Sequence, residues 1–336
     1  MSTPDASSSL PARKKPSRWY LLLAFALAAA LLFLAVRNVN FEESLRTLKN
    51  LRWQSFAVLF FLGTLAILTR AVRWGILLSA QKRIPIPTMF WATAVGYLGN
   101  IYLPARAGEV LRSVLLGRKT SISISYIFAT ALTERIMDSI LLVIISAVSL
   151  STMQGLPAWL PAAVRVMAIL GLIAFLVLLF APRLAPLFHK LLSWLPLPQR
   201  IRPTLTTLLD NFLAGAAAFV HPGRALGFLF STLFIWGVDA FNTVQTAHAL
   251  QLSLTYPQAM LFLAALGLAS AAPSTPGYVG IYQFVATTLL PVFGMNESQA
   301  LTFVIILQGI SICAITVCGL IGLQRLGSGK NLTIQV

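Results

Sequence analysis

Residues 95–112 read Val95-Gly-Tyr-Leu-Gly-Asn100-Ile-Tyr-Leu-Pro104-Ala-Arg106-Ala-Gly108-Glu109-Val-Leu-Arg112. An apolar run stops at a proline and turns at once into charge. Arginine or glutamate at hydrocarbon depth is strongly disfavoured unless it faces protein, water or a polar ligand, so an intramembrane charge cluster marks a functional site by default. The rest of the chain puts this stretch at that depth.

Of the 336 residues, 57% are hydrophobic and 10% charged, with a mean hydropathy of +0.82, which leaves too little polar surface to cover a soluble globule. The expectation is an all-α polytopic membrane protein. Apolar runs at 19–36, 56–69, 136–150, 166–180, 225–250 and 301–323 read as six full spans, the shorter ones extended by flanking Ser, Thr and Trp. Run 19–36 is longer than a signal-peptide core and has no small-x-small cleavage site after it, so it reads as an uncleaved anchor. The net charge of +16 would suggest nucleic acid in a soluble chain, so charge placement has to decide. With the N-terminus inside, most of the 25 Lys and Arg fall on the cytoplasmic side, and 251–301 contains none. This is positive-inside asymmetry, with both termini cytoplasmic in a cell inner membrane, and no nucleic-acid partner is expected. Cys313 and Cys318 stand ~140° apart around one helix and lack metal-ligand company, so neither a disulfide nor a metal site is expected.

The organisation expected is a disordered tail at 1–18, a membrane domain at 19–323 and a second cytoplasmic tail at 324–336. Residues 40–52 alternate apolar and charged positions at helical spacing and should lie on the outer surface; 183–219 reads as a further interfacial element. Two segments, 87–103 and 257–272, do not fit simple spanning. Each starts at a proline, contains glycine and ends at a second proline, continuing as Pro104-Ala-Arg-Ala-Gly108 and Pro273-Ser-Thr-Pro276-Gly277. A proline break leaves carbonyls unpaired, which lipid tolerates only where the break lines a cavity. The first segment enters from the cytoplasm and the second from outside. Two re-entrant hairpins of like design, one in each half (53–181 and 203–323), form the pattern of an inverted-repeat transporter whose site lies where the breaks meet.

Arg106, Glu109 and Arg112 share one broad face of a helix starting near Ala105, whose N-terminus would join the guanidiniums in binding phosphate. The competing reading is an Arg-Glu-Arg network that locks the hairpin to its neighbours. Thr133-Glu134-Arg135-Ile-Met-Asp138 opens a later span, its carboxylates one turn apart and ready to pair with the hairpin arginines Arg106 and Arg112 or with Arg70 and Arg73. Arg70, Arg73, Arg106 and Arg112 against Glu109, Glu134 and Asp138 leave a net positive cluster, which an anionic headgroup would complete. Asp239 and Asn242, one turn apart in mid-span, could line the same cavity from the other side. The segment from Pro273 through Pro276, Gly277 and Gly280 to Tyr282 and Gln283 supplies glycines and hydroxyls where backbone must be re-satisfied, as in the other half of a gate.

Together these residues, Asn100…Pro104-x-Arg106-x-Gly108-Glu109-x-x-Arg112, Glu134-Arg135-x-x-Asp138 and Pro276-Gly-Tyr-Val-Gly280-Ile-Tyr282-Gln283, resemble the lysylphosphatidylglycerol synthase transmembrane family over 19–323. In bifunctional members this module moves an aminoacylated phospholipid between leaflets and a separate soluble domain makes it. No such domain follows Leu323 in this sequence, so the resemblance implies lipid handling rather than lipid aminoacylation. Family members often carry Glu where this chain has Gln283, so no carboxylate role is expected there.

The expected activity is transport of a phosphate-bearing lipid (phospholipid, glycolipid or prenyl-phosphate-linked) without a cofactor. The candidate partners are that lipid, a second copy of the chain and a lipid-synthesis enzyme. The alternatives are an integral-membrane enzyme or accessory subunit acting on a lipid-linked sugar or phosphate, or a scaffold. Nucleotide-binding, zinc-hydrolase and Asp-x-x-Asp motifs are absent from the sequence.

Overall fold

The computed structural model describes residues 18–103, 107–151, 183–194, 202–216, 221–270 and 276–327, with scattered helical positions between 162 and 180. Among the described residues there are helices, turns and connecting segments and no strand. The N-terminal tail, Pro104, Ala105, Arg106, Pro273 and the end of the chain lie outside the described residues.

Helix α1 (Arg18–Val36) is followed by the short α2 (Phe41–Lys49). Asn40 caps α2 by accepting from the Glu42 and Glu43 amides at 3.0 and 3.3 Å; acids in its first turn and bases in its last complement the helix dipole. Phe41 and Leu45 are exposed, as an interfacial helix requires. The polar side of α2 is tied to the start of the last helix: Asn296 Nδ2 donates to Glu43 Oε1 at 2.5 Å, and the Asn40 amide to Ser298 Oγ at 2.9 Å.

Helix α3 (Ser55–Leu78) outruns the expected span. The sequence reading stops at Thr69 because Arg70 and Arg73 follow, but both guanidiniums find carboxylates inside the bundle, so the helix continues and buries Ala71, Trp74 and Leu78. Helix α6 (Ile124–Ser151) likewise carries Glu134, Arg135 and Asp138 within its body rather than at its mouth. Between them α4 (Ile86–Tyr102) turns back as α5 (Gly108–Thr120). Leu103 is extended (φ −106°, ψ 146°), as the residue before a proline prefers, and this ends α4 just ahead of Pro104. Helix α5 therefore starts at Gly108, one turn later than the sequence suggests. A Cβ on Gly108 would lie 1.9 Å from the Gly96 carbonyl oxygen and 2.6 Å from the Asn100 nitrogen. Only glycine lets the two arms cross this closely.

In the second half α7 (Ala185–Trp194) exposes Leu187, Leu191 and Trp194, while α8 (Arg202–Ala216) packs on α6, burying Leu213 with Met137, Ile140 and Phe228. Next come α9 (Pro222–Ala249) and α10 (Tyr256–Ala269), whose Thr255–Gln258 capping box secures its start. A 3₁₀ turn (Pro276–Tyr278) leads into α11 (Ile281–Leu289), a second 3₁₀ turn (Leu290–Phe293) and α12 (Glu297–Gly327). Helices α3, α9 and α12 are long and apolar enough to cross a membrane. Helix α6 has the length but carries three ionisable residues.

The packing is reciprocal. Helices α3 and α9 run against each other; α4 packs on α12, and α10 on α6. Each returning arm meets the long helix that follows it, α5 on α6 and α11 on α12. The largest apolar core lies between α9, α10, α11 and α12, where Phe262 and Phe303 meet at 5.8 Å.

Candidate functional site

The charged residues separate into two layers. In the inner layer Arg73 of α3 donates to Glu134 at 2.8 Å and to both oxygens of Asp138 at 2.5 and 2.8 Å, and also to Thr232 of α9 at 3.1 Å. Arg112 of α5 reaches the other Glu134 oxygen at 3.0 Å and Glu109 at 2.6 Å, with its guanidinium 4.2 Å from the Trp74 ring centre. Arg73 and Glu134 are 0% exposed and Arg112 is 1%. A desolvated cluster of this kind persists only when every charge is paired, and removal of one member strands the rest. It clamps α3, α5, α6 and α9 together.

The outer layer faces a cavity of about 350 Å³ between the two helical hairpins, α4/α5 and α10/α11. Arg70 and Asp239 pair bidentately across α3 and α9. Arg135 donates through Nε to Glu109 at 3.0 Å, and Asn100 Nδ2 donates to the same oxygen at 3.2 Å. Arg135, with 28% of its side chain exposed, is the most open of these charges. Asp138 belongs to both layers: it is held by Arg73 and lines the cavity.

Of the residues singled out in the sequence, Arg70, Asn100, Glu109, Arg135, Asp138, Asp239, Asn242, Gly277 and Tyr282 line this cavity. Arg73, Arg112 and Glu134 stand behind it, fully buried. Gln283 is structural: its Oε1 accepts from the Gly280 amide at 2.8 Å, capping α11, and its Nε2 donates to Gln308 of α12 at 2.8 Å. Gln308 in turn donates to the Gly277 carbonyl oxygen. Gly280 has φ +88°, and a Cβ there would lie 2.4 Å from the Ala28 oxygen of α1. Gly277, at φ +70°, makes the turn between Pro276 and Tyr278.

Asp239 is the partner of Arg70, so among the described residues Arg70, Arg73, Arg112 and Arg135 face an equal number of carboxylates: Glu109, Glu134, Asp138 and Asp239. The described part of the cluster is electrically balanced; Arg106, which the expected net positive cluster counts, lies outside the described residues.

Sequence reasoning passed over Tyr97, Trp236, Tyr278 and Gln308, all of which line the cavity. Their spacing held a signal. Tyr97 is one turn before Asn100, Trp236 one turn before Asp239, and Gln308 is an amide in the middle of an otherwise apolar helix. Several polar atoms at the cavity have no hydrogen-bond partner among the described residues: Tyr97 Oη, Arg135 Nη2, Trp236 Nε1 and Asn242 Oδ1. Buried polar atoms are normally satisfied, so these mark where water or a ligand belongs. No group of His, Cys, Asp and Glu that could hold a metal occurs among the described residues.

Comparison with known proteins agrees with this architecture. A UPF0104 membrane protein of Methanothermobacter thermautotrophicus is 23% identical over 341 residues, covering 95% of this chain and 96% of that protein. A UPF0104 membrane protein of Pyrococcus horikoshii is 22% identical over 324 residues, covering 89% of this chain and 95% of its own length. No solved structure matches. The profile of the lysylphosphatidylglycerol synthase TM region matches residues 21–319, so this helical, multi-pass membrane protein belongs to that family.

Proposed function

We propose that the protein is a lipid transporter that carries a phosphate-bearing headgroup between leaflets through the cavity while the acyl or prenyl chains remain in lipid. The observation that carries this reading is a polar, ion-paired cavity enclosed by apolar helices and bounded by two helical hairpins. Polar lining at that depth has no packing advantage over apolar side chains and is explained by a polar guest. The described Arg135 Nη2 and the Arg70 guanidinium are the cavity's cationic donors, and Arg106, directly before the α5 cap at Ala107, is assigned to the same phosphate. Arg73, Arg112 and Glu134 hold the helices that present them.

The membrane arrangement is six spans (α1, α3, α6, the 162–180 stretch, α9 and α12) with α4/α5 and α10/α11 re-entrant. Exchange of α3 with α9, α4/α5 with α10/α11, and α6 with α12 maps most of the main helix contacts onto one another, the packing of α3 on α12 being the exception. With the N-terminus inside the cell, α3 runs inward and α9 outward. These relations support an inverted repeat whose two hairpins open alternately.

The test is reconstitution of the purified protein in liposomes with tail-labelled fluorescent phospholipid, glycolipid and prenyl-phosphate probes, leaflet exchange being read by quenching of the outer leaflet. Protein-dependent exchange, reduced at least tenfold in Arg106→Ala or Arg135→Gln with the melting temperature kept, supports a transporter. Absence of exchange for every probe, together with headgroup hydrolysis or transfer in detergent, replaces it with the enzyme reading.

A further inference from the structure

We infer that the cavity is built to recognise a hydroxyl-rich ring, a sugar or cyclitol carried on the lipid phosphate, rather than an ammonium or a bare phosphate. The inference deepens the transporter reading by naming the class of headgroup, and its recognition step is measurable without transport.

The argument starts from charge. The described arginines and carboxylates of the two layers are equal in number, so among the described residues no cation stands in excess. What the lining offers is unmatched hydrogen-bonding capacity of both signs. Asn242 and Trp236 are 9% and 8% exposed and both line the cavity. The Asn242 Oδ1 acceptor and the Trp236 Nε1 donor have no partner among the described residues, and the same holds for Arg135 Nη2 and the Tyr97 hydroxyl. An unmatched buried polar atom is disfavoured, so a guest that satisfies several of them at once is strongly selected.

Chemistry then sorts the guests. Phosphate oxygens only accept, so a bare phosphate leaves Asn242 Oδ1 unsatisfied. An ammonium only donates and leaves the Trp236 and Arg135 N–H groups unsatisfied. A ring of vicinal hydroxyls donates and accepts at each carbon, matching a lining that offers both donors and an acceptor. Indole N–H and guanidinium N–H cannot reverse their polarity, so the match depends on the guest.

A second, independent feature fits the ring itself. Tyr278 and Tyr282 stack with centroids 5.0 Å apart and planes within 8°, and both line the cavity. Aromatic surface at a polar site suits a guest with one apolar face. The C–H face of a sugar or cyclitol carries the partial positive charge that an aromatic quadrupole attracts. Water alone would satisfy the orphaned atoms but gives no reason for a flat aromatic pair. A volume of about 350 Å³ lies at the small end of ligand pockets, adequate for one ring and its phosphate.

The test compares two lipids with the same labelled tail, the same phosphodiester and the same net charge: phosphatidylinositol, whose headgroup is a hydroxylated ring, and phosphatidylserine, which has an ammonium and a carboxylate instead. The full chain in liposomes should exchange phosphatidylinositol at least tenfold faster. Trp236→Phe, which keeps the aromatic bulk and removes the N–H, and Asn242→Leu should each slow that exchange about three- to tenfold, as expected for one hydrogen bond. In micelles, phosphatidylinositol should raise the melting temperature of the wild type more than phosphatidylserine does, and this difference should shrink in Trp236→Phe. If both lipids exchange equally, or phosphatidylserine faster, the polyol inference is overturned and the transporter reading survives. If neither exchanges but phosphatidylinositol alone stabilises the protein, the recognition site stands and the transporter reading falls. If there is neither exchange nor differential stabilisation, both are overturned. Should Asn242→Leu fail to fold, Trp236→Phe alone decides the recognition question.

Discussion

Arg70 and Arg73 sit one turn apart on α3, and both pair with carboxylates, yet they belong to different parts of the molecule. Arg73 is wholly buried between Glu134, Asp138 and Thr232, while Arg70 meets Asp239 at the wall of the cavity with part of its side chain open. The same division separates Arg112, sealed against Trp74 with 1% of its side chain exposed, from Arg135, which lines the cavity. A charge within apolar surroundings is therefore not by itself a ligand-binding group. What distinguishes the functional candidates is contact with the cavity.

This contrast breaks most sharply at Glu134. Glu134→Ala takes one carboxylate partner from Arg73 and one from Arg112, leaving them Asp138 and Glu109, and a broken buried pair is destabilising by about 3–5 kcal/mol. The expected outcome is a large fall in melting temperature in detergent, or failure to accumulate. A variant as stable as wild type would show that the inner layer is not a structural clamp.

Next in size is the hairpin crossing. Gly108→Ala introduces a methyl 1.9 Å from the Gly96 oxygen, so α4 and α5 must separate, with a loss of about 1–3 kcal/mol. Thermal melting checks it. Since the crossing also positions Glu109 and Asn100, exchange should fall further than the stability loss alone explains.

The outer layer should behave in the opposite way. Asp239→Asn keeps a hydrogen bond to Arg70 but removes the charge from a partly open pair, and stability should change by about 1 kcal/mol or less. Lipid exchange should drop at least tenfold, because an unneutralised Arg70 then holds the cavity in a different charge state. Equal damage to stability and exchange would erase the distinction between the layers.

How much of this the sequence disclosed follows from where each interaction lives. The membrane class, the hairpin break ahead of Pro104 and the pairing of Glu134 and Asp138 with arginines of the first half follow from local pattern: apolar runs, proline geometry and helical spacing. The role of Asp239 does not, because it lies 169 residues from Arg70 and only the packing of α3 on α9 brings them together. Asp239 therefore entered the expected cluster as a neighbour and not as the counter-charge of Arg70. The extents of α3 and α6 were underestimated because charge was read as the end of a span, whereas each charge had a partner inside. Trp236, Tyr97 and Gln308 looked like ordinary membrane-helix residues, and only their convergence on one cavity gives them a role.

The smallest expected effect is at the amide that fastens α11 to α12. Gln283 works with both ends of its amide, accepting from the Gly280 amide and donating to Gln308, and so fastens α11 to α12 next to the cavity without facing it. Gln283→Glu keeps the accepting oxygen but, when ionised, turns the donor into a second acceptor opposite the Gln308 oxygen. The loss of that hydrogen bond should lower stability by about 0.5–1.5 kcal/mol at neutral pH. Protonation restores a donor, so the deficit relative to wild type should be present at high pH and narrow as pH falls. A melting series from pH 8 to pH 5 reads the sign directly. A deficit that widens on acidification would mean that a cation meets the side chain in the variant, and that Gln283 belongs with the charged outer layer after all.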